Sequence, residues 1–399
     1  MLSHLGSPTL PYLSDDHVDR GDLIDEYNDV ALEIAEESEN EARYGECPCQ
    51  YYPIQIGEIL NQTYRIFHKI HHGGFSTVWL AQDLKNQRNF AIKIMVSGSS
   101  GEHDYQMQTA IHQTVTDISH LVLYENVFLL RGPQSSHFAF VFPLFGPSVG
   151  SLVGKQLHIA TRMHGAKQLL QALANLHKVG FVHRDINVMN VLWGSALPEN
   201  LSVADKYKIL GRPQRMLIQS DTWKQGEIVR PIQFPAALCS NMIYLADFGI
   251  TTRVGDSTIP DGLPPFECCS PERLHGAIPH FSCDMWSYIC VFSYLYFGFN
   301  LFPRLKDVVT YMGPLPKYLK GKYLWPQYSS DQWYDPNTAI TASLEDRIRY
   351  RRPKIDSAER KLLMSILTRG FSLVPERRLT ASQLLQDPDF NALIDIYCG

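Results

Sequence analysis

His183-Arg184-Asp185-Ile186-Asn187-Val188-Met189-Asn190 follows directly on a helical pattern in which Leu169, Leu170, Leu173 and Leu176 recur just before His177. Asp185 and Asn190 stand five apart on what reads as a tight loop. That spacing lets a carboxylate reach a substrate hydroxyl while an amide oxygen faces a metal ion.

Working outward, Asp247-Phe248-Gly249 closes the apolar run Ile243 to Ala246. A carboxylate at the end of a buried strand is costly unless it holds a cation, and Mg2+ bridging phosphates would satisfy it. Upstream, Ala91-Ile92-Lys93 ends an apolar strand with one long cation. Either it snorkels to the surface, or it meets an anion such as the α- and β-phosphates of a nucleotide. Before it, His71-His72-Gly73-Gly74-Phe75-Ser76-Thr77-Val78 lies between two strand patterns. Small residues there let backbone N–H groups approach phosphate oxygens, although an ordinary hairpin turn would read the same. Any one of these segments could arise by chance; four in this order point to a nucleotide triphosphate site.

The rest of the chain is consistent with a folded protein of one large domain or two ordinary ones. Of 399 residues, 45% are hydrophobic and 19% charged. A net charge of -5 without a Lys/Arg block argues against nucleic-acid binding. Met1 to Pro11 lacks a basic segment followed by an apolar one, which speaks against a secretory signal. Trp286 to Phe302 is apolar enough to suggest a membrane span, but it is short and carries Asn300 and several tyrosines. A buried core helix is the expectation there. Cys47-Pro-Cys49 and Cys268-Cys269 are too closely spaced for a zinc site, so reduced thiols and a cytoplasmic or nuclear location are expected.

The expected organisation is α+β. Residues 1–50 form an acidic tail, with thirteen acidic residues from Asp15 to Glu46 opposed by Arg20 and Arg43. Such a run reads as a solvated tail or transient helix, and docking to basic partners is one use for it. Residues 51–146 are strand-rich, with runs at Tyr64 to Ile70, Thr77 to Gln82, Asn89 to Met95 and Phe138 to Phe142. Residues 147–399 are helical. A turn-rich insertion occupies about 195–242.

With these motifs in place, the sequence resembles the eukaryotic protein kinase family over nearly all of residues 60–390. Ser270-Pro271-Glu272 is similar to the family's Ala-Pro-Glu motif, and Arg378 in Pro375-Glu376-Arg377-Arg378-Leu379-Thr380-Ala381 to its partner arginine. Asp284-Met285-Trp286-Ser287 resembles the start of the central helix of the C-terminal lobe. Within the family, residues 74–81, Tyr52 to Glu58 and Ile209-Leu210-Gly211-Arg212-Pro213 resemble the SR-protein-kinase branch, in its fungal form.

The resemblance implies a bilobal kinase fold, ATP and Mg2+ as cofactors, and a protein hydroxyl as acceptor. It implies that His71, Gly73, Gly74, Ser76, Val78, Ala91, Phe142, Pro143, Phe145 and Leu192 surround the nucleotide. Lys93 would position phosphates, Asn190 and Asp247 hold metal, and Asp185 act as base. Glu272 and Arg378 would tie the activation segment, Asp247 to Glu272, to the C-terminal lobe. Arg184 would pair with that segment when it is phosphorylated, with Thr251, Thr252, Ser257 and Thr258 as candidate sites.

Three departures stand out. His71 replaces the usual first glycine. Asn187 replaces a lysine that contacts the γ-phosphate, a loss on the order of 2–4 kcal/mol of transition-state stabilisation if nothing substitutes. The acidic partner of Lys93 is best sought at Asp104, with Glu102 as alternative. An active serine/threonine kinase acting on basic, serine-rich proteins is the leading expectation, and a nucleotide-binding or scaffolding pseudokinase the rival.

Overall fold

The computed structural model describes residues 19–24, 51–98, 100–133, 135–152, 157–218, 223–256, 258–319 and 343–399. They fall into two compact units. The first holds the described residues up to Phe90 together with Glu199–Gln233, and the second holds Ala91–Pro198 and Phe234–Gly399. Cys47 and Cys49 lie outside the described residues, as does most of the acidic stretch.

In the first unit, β2 (Ile59–Leu60), β3 (Tyr64–Gly73) and β4 (Ser76–Asp83) pair antiparallel in sequence order. Burial runs through consecutive residues of these strands: Ile66 and Phe67 on β3 and Trp79, Leu80 and Ala81 on β4 are buried, as are Ile54, Ile56 and Phe90. The insertion adds α3 (Val203–Leu210), capped by Ser202 on the amide of Asp205, and the antiparallel pair β11 (Gln214–Ile218) and β12 (Gly226–Val229).

The sequence reading grouped this insertion with the helical part of the chain. Its contacts explain why it clusters with the first strands instead. The amide of Ile232 donates to Lys69 O at 2.9 Å, that of Glu227 to Ile54 O at 2.9 Å, and the Tyr207 hydroxyl to Phe67 O at 3.1 Å. Of the acidic stretch, Asp22–Leu23 forms β1, parallel to β11, where a solvated tail or transient helix was expected.

Lys206 on α3 is fully buried, its Nζ 4.6 Å from the Phe67 ring and without a hydrogen-bond partner. Burial pulls its pKa down to about 8, against a smaller opposing pull from Glu199. Below that value the charged form destabilises the fold. As pH rises from about 8 towards 10.5, the folded state releases its proton first and the penalty fades. Lys206→Met is therefore expected to be at least as stable as the native chain at pH 7. The native chain should then regain roughly 2–4 kcal/mol relative to the variant across that window, measured by urea denaturation.

The chain enters the second unit along β5 (Asn89–Met95). There follow α1 (Ser100–Thr114), the antiparallel pair β6 (Asn126–Arg131) and β7 (Ser136–Pro143), and β8 (Phe145–Ser148). Within this unit the amide of Val122 donates to Leu245 O at 2.8 Å. The helical body begins with α2 (Ile159–Lys178), whose buried stripe includes Met163, Ala166, Leu169, Leu170, Leu173 and Leu176.

Short strands β9 (Phe181–Val182), β10 (Val191–Ser195), β13 (Cys239–Leu245) and β14 (Thr252–Arg253) frame the loops between helices. After α4 (Pro271–Leu274), α5 (Phe281–Phe297) is buried almost all round. Its apolar run packs on α2 and the last helices, so it is core. Among the described residues no helix is long and apolar enough to cross a membrane. The chain closes with α6 (Leu305–Met312), α7 (Leu344–Arg351), α8 (Ser357–Gly370), α9 (Ala381–Leu385) and α10 (Pro388–Cys398).

Candidate active site

The antiparallel pairing of β10 with β13 aligns Val191 with Leu245. Asn190, one residue before β10, thus lies beside Ala246, two residues after Ile243's neighbour Tyr244, and its carbonyl accepts the Ala246 amide at 2.8 Å. Asp247 follows at once. It sits at φ +69, and Arg184 at φ +73, a region costing non-glycine residues on the order of 1–3 kcal/mol. Backbone strain is therefore held at the residue before Asp185 and at Asp247 itself.

Buried hydrogen bonds maintain it. Asp284, at the start of α5, accepts the amides of His183 and Arg184 at 2.8 and 2.9 Å and His177 Nε2 at 3.0 Å. His183 accepts the Asp185 amide at Nδ1 and so donates from Nε2 to Ala246 O, at 3.2 and 3.1 Å. Burial keeps this imidazole neutral by lowering its pKa. Phe248 packs edge-on against it, with ring centroids 5.1 Å apart.

Asp185 is clamped by two amides. Asn187 Nδ2 donates to Oδ1 at 2.9 Å, and Asn190 Nδ2 to Oδ2 at 2.8 Å. Asn187 in turn accepts the Met189 amide at 2.8 Å, so it is locked to the loop. Burial, with the nearby Asp247 charge, pushes the Asp185 carboxyl up to about 7, against the two amides and Lys93. A carboxylate poised there is suited to proton transfer near neutrality.

Lys93 Nζ donates to Asp247 Oδ1 at 2.9 Å and to Asp104 Oδ2 at 3.2 Å. Burial would lower the lysine's pKa, but the two carboxylates outweigh it and the net shift is upward. Asp247 is raised by burial and lowered more by Lys93. Asp104, wholly buried on α1, also accepts Gln108 Nε2 at 2.9 Å. Glu102 is exposed and bonds Gln106 instead. His103 holds α1 to the segment beyond Asp247 through Thr251 O at 2.8 Å.

The donor set fits a hard cation. Asp247 keeps 42% of its side chain exposed, and the residue before it, Ala246, donates its amide to Asn190 O. Among the described residues no group of three His, Cys, Asp or Glu could hold a metal, so phosphate and water oxygens would have to complete an oxygen shell.

Of the other sequence-picked residues, Ala91, Phe142, Phe145 and Leu192 share one apolar cluster with Met95, Val122, Phe140 and Ala246. Pro143 ends β7 immediately before it. His71, Gly73, Gly74, Ser76 and Val78 belong to the first unit. Gly73 pairs with Ser76 and His71 with Val78, leaving Gly74-Phe75 as a two-residue turn. A Cβ on Gly74 would meet nothing within 4 Å, and His71 stacks on His72.

Arg184 spends its guanidinium on carbonyls of the activation segment, at Ile250, Pro260 and Gly262, with bonds of 2.7, 2.8 and 3.2 Å. Thr251 and Thr252 are buried, Thr258 is exposed, and Ser257 lies outside the described residues. Glu272 and Arg378 form a buried bidentate pair, at 2.5 and 2.8 Å. The clamp by Asn187, the anchor at Asp284 and the brace at His103 escaped the sequence reading. Only Asp284 left a signal, its place at the start of an apolar helix.

A protein kinase domain family model matches residues 64–390. The chain is 25% identical over 389 residues to the serine/threonine-protein kinase SRPK of Physarum polycephalum, covering 85% of this chain and 88% of that one. It is 23% identical over 386 residues to the probable serine/threonine-protein kinase clkA of Dictyostelium discoideum, covering 87% of this chain but only 38% of clkA. With protein kinase dsk1 of Schizosaccharomyces pombe it shares 31% identity over 170 residues, 39% of this chain and 30% of dsk1. The solved kinase domain of PF14_0431 superposes with a TM-score of 0.59 at 19% identity, over 85% of this chain and 98% of that domain.

Proposed function

The chain belongs to the protein kinase family, with serine/threonine kinases of the SRPK and CLK type among its relatives, and from that premise we propose how its residues carry out phosphoryl transfer from ATP to a protein hydroxyl. The observations that support this most are the two contacts Lys93–Asp247 and Asn190–Asp185, both within a single unit. Asp185, aimed by two amides, orients the attacking hydroxyl and takes its proton. Lys93, fixed between Asp104 and Asp247, places a fixed positive charge for the phosphates. Asp247 and Asn190 would hold Mg2+, which when bound supplies charge neutralisation on the phosphate oxygens. Ala91, Phe142, Phe145 and Leu192 offer the apolar faces for the base, and the Pro143 carbonyl an acceptor at its edge.

Asn187 stands in for a lysine and changes the balance. It aims the base but brings no cation, so transfer is expected to be slow rather than absent. Asn187→Lys should raise kcat about tenfold or more by returning charge to the transition state. Asn187→Ala should lower it by releasing Asp185. An unchanged kcat in both would remove Asn187 from the reaction.

The substrate on this reading is a basic, Ser/Arg-rich protein, consistent with the net charge of -5 and with relatives named as SRPK. The compartment is the cytoplasm or nucleus, where buried thiols such as Cys268 and Cys283 stay reduced. Phosphate incorporation into a serine-containing peptide library, scored for arginine neighbours and repeated with Asp247→Ala, tests both parts. Stabilisation by Mg-ATP with no incorporation into any peptide would defeat the catalytic reading.

A further inference from the structure

Asp19-Arg20-Gly21-Asp22-Leu23-Ile24 lies along the insertion, within the first unit. Its backbone is read as a strand: the Asp22 amide donates to Pro213 O at 2.8 Å and the Ile24 amide to Arg215 O at 2.9 Å. Its carboxylates are read by one guanidinium. Arg212 Nη1 and Nη2 take the two oxygens of Asp19 at 2.6 and 2.9 Å, and its Nε takes Asp22 at 2.9 Å. The Tyr207 hydroxyl shares its one proton between Phe67 O and Asp19 O, each at 3.1 Å, and Arg212 lies over the Tyr207 ring.

Between the two aspartates only glycine fits. Gly21 has φ +84, and a Cβ there would sit 2.4 Å from Pro213 O and 2.9 Å from the proline ring. Meanwhile Leu23 is 57% exposed. The segment is thus held by edge pairing and a polar fork, which any extended peptide of the right sequence can offer, and not by its own apolar core.

We propose that the edge of β11, with Tyr207, Arg212 and Pro213, is a recognition site for an extended Asp-x-Gly-Asp peptide, and that residues 19–24 are its ligand in cis. The acidic stretch then docks on a basic group, but on this chain's own. Exposed ion pairs are individually weak and screened by salt, so the ligand exchanges. Specificity comes from three readings at once: carboxylates three residues apart, a glycine between them, and a strand-like backbone. None of this depends on catalysis.

The test uses the full chain carrying Asp19→Ala and Asp22→Ala, and a fluorescent peptide of residues 17–26 as probe. Anisotropy should show saturable binding to this variant. The native chain, its site filled, should bind about tenfold more weakly, as should the variant with Arg212→Ala added. A probe with Gly21→Ala should also lose about tenfold, and this arm carries the test if the Arg212 variant fails to fold. Binding should weaken as NaCl rises from about 0.1 to about 0.5 M. No binding to the double variant, or equal binding of the Gly21→Ala probe, overturns the proposal and leaves the kinase reading untouched.

Discussion

Asp185→Asn is expected to lower kcat by about 10²–10⁴-fold while the protein stays folded and still binds Mg-ATP. Two effects add. The general base is lost, because an amide cannot take the hydroxyl proton. The clamp is also disturbed: both oxygens of Asp185 accept from amide nitrogens of Asn187 and Asn190. An asparagine must turn its own NH2 towards one of them, leaving two donors face to face. Initial rates at saturating ATP and peptide, with thermal unfolding as the control for folding, measure the effect. Less than a tenfold fall would mean that Asp185 does not handle the proton.

The largest stability effect is expected at the other end of the activation segment. Arg378 donates to both oxygens of Glu272 and to the carbonyls of Ser372 and Ser282, at 2.8 and 2.9 Å, and lies over Trp286. Arg378→Ala leaves the buried Glu272 charge without its partner and the two carbonyls without this donor, a cost of about 3–5 kcal/mol. Burial alone would raise the Glu272 pKa, but Arg378 outweighs it and the carboxyl titrates below its ordinary value. Its contribution is therefore present above the usual glutamate pKa of about 4.3 and lost as pH falls through the lower folded value. The gap between native chain and variant in chemical denaturation should narrow on acidification through that window. A cost under about 1 kcal/mol at pH 7 would show that the pair is solvent-screened.

These expectations rest unequally on the sequence. Lys93, Asp185, Asn190 and Asp247 were legible because each polar side chain ends an apolar run, or sits on a loop just after one, where burial makes an idle charge costly. Asn187 was legible only as a missing lysine. That its amide instead aims Asp185 depends on a side-chain direction set by the loop fold, which residue spacing does not encode. Arg184 was read as a reserve for phosphate, yet its guanidinium is committed to three carbonyls. Backbone acceptors leave no trace in a sequence.

The sequence by itself determined the α+β class, the strand runs that became β3, β4, β5 and β7, the leucine stripe of α2 and the core character of α5, since periodicity and apolar run length are local properties. Tertiary structure alone decided where the insertion packs, and that Asp22–Leu23 of the acidic stretch pairs as a strand with β11 beside the Asp19–Arg212 ion pair. Each of those outcomes turns on partners more than ten residues away, and hydrogen bonds or ion pairs between distant groups follow from how the chain closes on itself.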